Sequence, residues 1–159
     1  MSANMAPLGT AELPGRPCSV AAALNLVGDR WSLLAVREVM FGNRRFSEIA
    51  RNTGAPRDRL AARLKELVRA GILEQRPYQD SPPRSDYHLT PAGRELSPVI
   101  QALLEWGDKW AVDDPPLTLM HHDHKLRSKV VCATCGEKVR SADVQRVIHA
   151  DGWDLAGPV

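Results

Sequence analysis

Val20, Leu24 and Val27 fall at the three- and four-residue intervals that put side chains on one helix face, so a first helix is predicted from Cys18 to Val27. Gly28 stops it, and Asp29 is placed to cap a second helix from Arg30 to Met40. Trp31, Leu33, Leu34, Val36, Val39 and Met40 leave that helix little polar surface, which assigns it to the centre of the core. After a Gly42-Asn43 turn, Phe46, Ile49 and Ala50 mark a short third helix ending near Asn52. Thr53-Gly54-Ala55 is a tight connector to a fourth helix, running from about Pro56 to Ala70. Its buried stripe is Leu60, Leu64, Leu67 and Val68, and Gly71 is its natural stop.

Two short strand-like runs follow, Ile72 to Tyr78 and Ser85 to Leu89, around a turn-rich tip from Gln79 to Arg84. Thr90-Pro91 offers a hydroxyl cap and a first-turn proline to a fifth helix, which Pro98 should kink or split. Asp113-Asp114-Pro115-Pro116 marks a boundary. Two helices joined by a glycine-containing turn and followed by a β-hairpin predict a mainly α fold with a small wing, a winged helix-turn-helix. The expected organisation is a flexible arm over residues 1–17, a DNA-binding and dimerisation domain over 18–112, and a small zinc-knuckle-like extension over 117–159.

Composition changes this picture little. The 159 residues carry a net charge of only +2, so a nucleic-acid binder must cluster its basic residues. No apolar run approaches the roughly 20 residues that span a bilayer, so no membrane role is expected. The N-terminal stretch is rich in Pro, Gly and Ala and has no apolar core of a secretory signal, which predicts a cytoplasmic chain with reduced thiols. Neither a Ser/His/Asp grouping, paired catalytic carboxylates nor a phosphate-binding glycine loop is present in the pattern, so an enzyme is not expected.

The clustering sits on the outward face of the fourth helix. At 3.6 residues per turn, Asp58, Ala62, Lys65 and Arg69 point away from the buried stripe, with Arg59, Arg63 and Glu66 beside them and Arg57 at the start. A helix entering the major groove needs side chains that reach base edges near its N-terminus and cations that hold phosphates on its flanks. Arg57, Arg59 and Arg63 suit guanine, whose O6 and N7 match a guanidinium in two parallel bonds. Ala61 and Ala62 let the helix sit deep. Asp58 either accepts from a cytosine amine or stabilises the positive helix end. Arg84 at the wing tip is placed for a minor groove or its phosphates. Arg44 and Arg45 are either phosphate contacts or solvated loop residues.

Gly28-Asp29-Arg30-Trp31, Gly42-Asn43-Arg44-Arg45-Phe46-Ser47-Glu48-Ile49 and Leu60-Ala61-Ala62-Arg63-Leu64-Lys65-Glu66-Leu67 together resemble the HxlR-type regulators. Gly71-Ile72-Leu73, the run from Pro82 to Gly93, and Trp106-Gly107 extend the likeness over roughly Cys18 to Trp110. The resemblance implies a bacterial transcriptional regulator, a repressor or an activator, with repression the favoured reading. It further implies a homodimer built from the N- and C-terminal helices, whose recognition helices meet successive major grooves of a pseudo-palindromic operator in double-stranded DNA. Leu103, Trp106 and Trp110 then either join that interface or close the monomer's own core. Pro56 stands where the family often has a capping Ser, so the start of the recognition helix can differ. A small-molecule effector, with an apolar pocket near Trp31 and Trp106, or an oxidant would suit such a regulator.

The cysteines add chemistry. Cys18 opens the first helix, where the resemblance implies a thiol that several members use to sense oxidants or electrophiles. The helix end and Arg16 favour its thiolate, while the bland alternative is a buried small apolar residue. Cys132-Ala133-Thr134-Cys135-Gly136 resembles a zinc knuckle. No cofactor is required for the main reading, but a structural zinc on Cys132, Cys135, His122 and His124 is arithmetically available, with His121 and His149 as further donors. A ribbon that has lost its metal, a thiol–disulfide switch and two quiet thiols are the other readings of this pair. The rival to a DNA-binding regulator is a protein-interaction module that uses the winged helix and the knuckle-like tail.

Overall fold

The computed structural model describes residues 15–159, so most of the expected N-terminal arm lies outside the described residues. The chain divides into two compact units, the first ending at Ile100 and the second running from Gln101 to Val159.

The first unit begins with α1 (Ser19–Val27) and α2 (Arg30–Met40). Asp29 caps α2 by accepting from the Trp31 amide at 2.9 Å. Ala35, Val36 and Val39 of α2 are buried, as are Ile49 of α3 (Phe46–Thr53) and Leu60, Leu64 and Leu67 of α4 (Arg57–Arg69). These residues, with Ile72, Leu73 and Tyr87, form one core. The central placement of α2 follows from its apolar content, but Glu38 is buried there as well, which hydrophobic patterning did not indicate.

The wing is an antiparallel pair, β1 (Leu73–Asp80) and β2 (Pro83–Leu89), in the register Leu73 to Leu89, Gln75 to Tyr87 and Pro77 to Ser85. An irregularity between Pro77 and Gln79 lets the strands run further than the sequence suggested, to Asp80 and Pro83. Thr90 locks the exit. Its hydroxyl donates to the Gly71 and Ile72 carbonyls and accepts from the Gly93 amide, capping α5 (Pro91–Arg94). The single fifth helix of the sequence reading is split as Pro98 implied: α6 (Ser97–Trp110) starts one residue before that proline. Pro56 stands outside α4 as its N-cap residue and not inside it.

The second unit holds the rest of α6, the hairpin β3 (Met120–His121) and β4 (His124–Lys125), and a series of tight turns. None of its residues is buried. Ser141–Asp143 makes a single 3-10 turn that goes no further, because Val144 is already extended.

Candidate nucleic-acid interface

The helix-turn-helix angle is set by Gly54. It ends α3 at φ +68°, a left-handed conformation that glycine adopts without penalty, and its amide bonds to Ala50. Thr53 reinforces the turn by donating to the Ile49 carbonyl at 2.7 Å and accepting from the Ala55 amide at 3.3 Å. Pro56, extended at ψ 135°, then starts α4 with no side-chain cap, which leaves the first amides of the helix for an outside acceptor such as phosphate.

With Leu60, Leu64 and Leu67 fully buried, the opposite face of α4 is open to solvent. Arg57, Asp58, Arg59, Ala61, Ala62, Lys65 and Arg69 are exposed, and Arg63 and Glu66 are half-exposed. This is the face that helical periodicity assigned to DNA. Within it Arg69 is paired with Glu66 through its guanidinium, and that hydrogen bond and charge hold the Glu66 carboxyl below its usual range. Arg59, Arg63 and Lys65 project from the middle of the helix.

Aromatic rings seat two of the flanking cations. The Arg57 guanidinium lies 4.9 Å from the Phe46 ring centroid, and that of Arg45 lies 5.2 Å from Tyr78. The backbone beneath Arg44 and Arg45 is fixed by Glu48, whose carboxylate accepts from both amides at 3.1 and 3.0 Å. The Tyr87 amide donates to the Arg44 carbonyl at 2.9 Å, tying the wing to the loop before α3. Arg84 is exposed near the wing tip, opposite Gln79. The seats on Phe46 and Tyr78 and the Glu48 clamp were missed at sequence level. A Glu three residues after a helix start was their one visible signal.

Residues 26–115 match the family model described as HxlR-like helix-turn-helix. The chain belongs to that family. It is 43% identical over 130 residues to the HTH-type transcriptional regulator Rv3095 of Mycobacterium tuberculosis, covering 79% of this chain and 82% of that protein. Among solved structures it resembles PA1607, a candidate transcription factor, with a TM-score of 0.73 and 33% identity over 84% of this chain and 95% of the other. It also resembles the redox regulator HypR in its reduced form, with a TM-score of 0.51 and 30% identity over 58% of this chain and 92% of HypR. This HxlR-like chain is a sequence-specific DNA-binding transcriptional regulator and not an enzyme. None of its described helices is long and apolar enough to cross a membrane.

The remaining candidate residues lie elsewhere. Cys18 is the N-cap of α1, its sulfur accepting from the Val20 amide at 3.3 Å. It is exposed in the single chain, so the reading as a buried apolar filler is not met. The Ala21 and Val20 amides, with a smaller contribution from the Arg16 charge, hold its thiol below the ordinary value. Leu103, Trp106 and Trp110 are 52%, 62% and 66% exposed, so they do not close the chain's own core.

Apart from His149, the zinc ligands considered above fall into two clusters. His121, His122 and His124 gather at the β3–β4 turn, His121 T-shaped against the other two, with ring centroids 4.2 to 6.5 Å apart. Cys132 and Cys135 share the turn between Val131 and Lys138. Among the described residues no group of three or more His, Cys, Asp or Glu is placed to hold a metal ion.

Proposed function

We propose that this regulator reads a pseudo-palindromic operator as a homodimer, with α4 in the major groove and the β1–β2 wing over the adjacent minor groove. The observation that carries this reading is the exposed face of α4, where small and basic residues stand opposite a fully buried leucine stripe. Arg59 and Arg63 take guanine edges, Ala61 and Ala62 allow close approach, and Asp58 faces a cytosine amine or balances the helix end. Arg57, Lys65, Arg69, Arg44 and Arg45 hold phosphates, and Arg84 reaches from the wing. Arg69 must exchange Glu66 for phosphate to do so, a small cost for an exposed pair.

The homodimer is supported by apolar side chains with no cover in the single chain. Val20 and Leu24 stand out on α1, and Leu103, Trp106 and Trp110 on α6. The exposed, N-capping Cys18 supports oxidant-responsive binding, in keeping with the likeness to a redox regulator. Repression follows where the operator overlaps a promoter.

The test is a salt-titrated binding assay on DNA from the regulator's own upstream region against random duplex. Tight, sequence-dependent binding that weakens steeply with salt and with Arg59→Ala supports the reading. Equal, salt-insensitive binding to both duplexes, on the full chain and across neighbouring promoters, favours the protein-interaction alternative.

A further inference from the structure

The second unit contains two turns of different length that share one feature, a side-chain acceptor facing the amides two and three residues ahead. In the first, the Cys132 sulfur accepts from the amides of Thr134 and Cys135, two and three residues ahead. The strands on either side join through a Val131–Lys138 bridge, and the Cys132 amide donates to Glu137. In the second, Asp154 Oδ1 accepts from the amides of Ala156 and Gly157, again two and three residues ahead, at 2.7 and 2.8 Å. A Trp153–Pro158 bridge closes that turn. Asp154 thus does for its turn what Cys132 does for the first, and Gly157 stands where Cys135 stands. Two such turns, each bearing two thiols, would supply a tetrahedral zinc site. Here the second turn has none, and among the described residues no third donor joins the cysteine pair.

What is left is a pair of thiols held together. Cys135 is exposed and Cys132 is half-exposed, three residues apart in a turn that the Gly136 amide closes onto the Cys132 carbonyl at 2.7 Å. We propose that Cys132 and Cys135 form a reversible dithiol–disulfide couple that exchanges with low-molecular-weight disulfides.

The chemistry follows the hydrogen bonding. Cys132, whose thiol the Cys135 and Thr134 amides hold below its ordinary value, attacks one sulfur of the external disulfide and expels the other as a thiolate, leaving a mixed disulfide on Cys132. Cys135 then gives up its proton and attacks the Cys132 sulfur, expelling the second external thiolate. Two protein thiols are oxidised to one disulfide, one external disulfide is reduced to two thiols, and the two protein protons pass to them. The bridge closes so short a loop that it removes little chain entropy, so the unit keeps its fold in both states. Exposed bridges of this kind are the readily reduced ones.

The full-length Cys18→Ser protein, equilibrated with mixtures of reduced and oxidised glutathione and then alkylated, tests this by intact mass and peptide mapping. The expected result is a single two-electron transition between doubly alkylated chain and chain lighter by two hydrogens, carrying no glutathione and a Cys132–Cys135 cross-linked peptide. In the same background Cys135→Ser retains one glutathione on Cys132. The proposal is overturned by a pair that stays alkylatable at every ratio. It is equally overturned by a glutathione adduct that persists with both cysteines present, or by zinc that purifies at one or one-half equivalent per chain and shields both thiols.

Discussion

The Asn52 side-chain amide donates to Glu38 Oε2 at 2.9 Å, fastening the end of the first helix of the reading pair to the last turn of the core helix. Asn43 donates to the same oxygen at 2.7 Å, and Arg37 reaches the other at 2.7 and 3.0 Å. A buried carboxylate is costly unless its oxygens are satisfied, and here both are. Burial pushes the Glu38 carboxyl up. The bonds from Asn52, Arg37 and Asn43, with the Arg37 charge, outweigh it and hold the group below its ordinary value.

Glu38 therefore gives the fold an acid-side dependence. The folded value lies below the unfolded one, so between them the unfolded chain binds the proton more readily. The contribution is complete above the unfolded value of about 4.3 and is lost as pH falls through the folded value. Glu38→Gln puts an amide where three donors converge and should cost about 2–3 kcal/mol at neutral pH. Urea melts at stepped pH check this: the variant should show a shallower loss of stability below about pH 5 than the parent. Parallel losses would remove Glu38 from the account.

Gly93 carries a second prediction. A Cβ there would stand 2.2 Å from the Ile72 carbonyl oxygen and 3.1 Å from Leu89 Cδ2. The carbonyl is backbone, at the seam where Thr90 joins the wing to the end of α4. Gly93→Ala must push that seam apart, at about 1–3 kcal/mol. A thermal melt several degrees below the parent is expected, with the far-UV spectrum retained. An unchanged melting temperature would mean the seam yields freely.

Much of this fold was legible because its elements announce themselves locally. The leucines of α4, the Asp29 cap, the Thr90-Pro91 start and the Gly54 turn each follow from one residue's chemistry. Glu38 was hidden because its partners, Asn43 and Asn52, are polar residues that look like ordinary turn and helix-end positions. Their convergence is tertiary. The aromatic seats of Arg45 and Arg57 were hidden for the same reason. The second unit beyond α6 was least legible, since it has turns and a two-residue hairpin but no buried residue and so no periodicity to read.

The reading face divides into two kinds of contact that titration with salt separates. Arg59→Ala or Arg63→Ala removes a proposed base contact and should cost about 1–3 kcal/mol on operator DNA, with relaxed preference at one base pair. Arg44→Ala or Arg45→Ala should weaken operator and random duplex alike and lower the slope of log affinity against log salt by about one. Fluorescence anisotropy on both duplexes distinguishes the two. Equal effects of Arg59→Ala on all sequences would reassign that residue to phosphate.

Trp106 offers a test of the homodimer. At 62% exposure its ring is without cover in the single chain, and aromatic anchors dominate interfaces of this type. Trp106→Asp introduces a charge that a closed apolar interface cannot solvate. Sedimentation should move from dimer to monomer, and operator affinity should fall at least tenfold because two half-sites no longer bind together. A variant that sediments and binds as the parent would place the interface elsewhere.

Cys18 supplies the last prediction. Its thiol is exposed and lowered by the amides of Ala21 and Val20 and by Arg16, so it reacts with oxidant faster than an ordinary surface cysteine at neutral pH. Reaction adds bulk or a cross-link at the first residue of a helix that carries the exposed Val20 and Leu24. In the proposed homodimer, a change there alters how two copies meet, and with it the spacing of their reading helices. Treatment with a mild disulfide oxidant should therefore change operator affinity of the parent by tenfold or more. Cys18→Ser should bind as the reduced parent does and ignore the oxidant. Its hydroxyl still caps α1, so stability should stay within about 0.5 kcal/mol. Running Cys132→Ser with Cys135→Ser in parallel separates the two thiol systems. An oxidant response that survives Cys18→Ser and disappears with the pair would transfer the sensing role to the second unit.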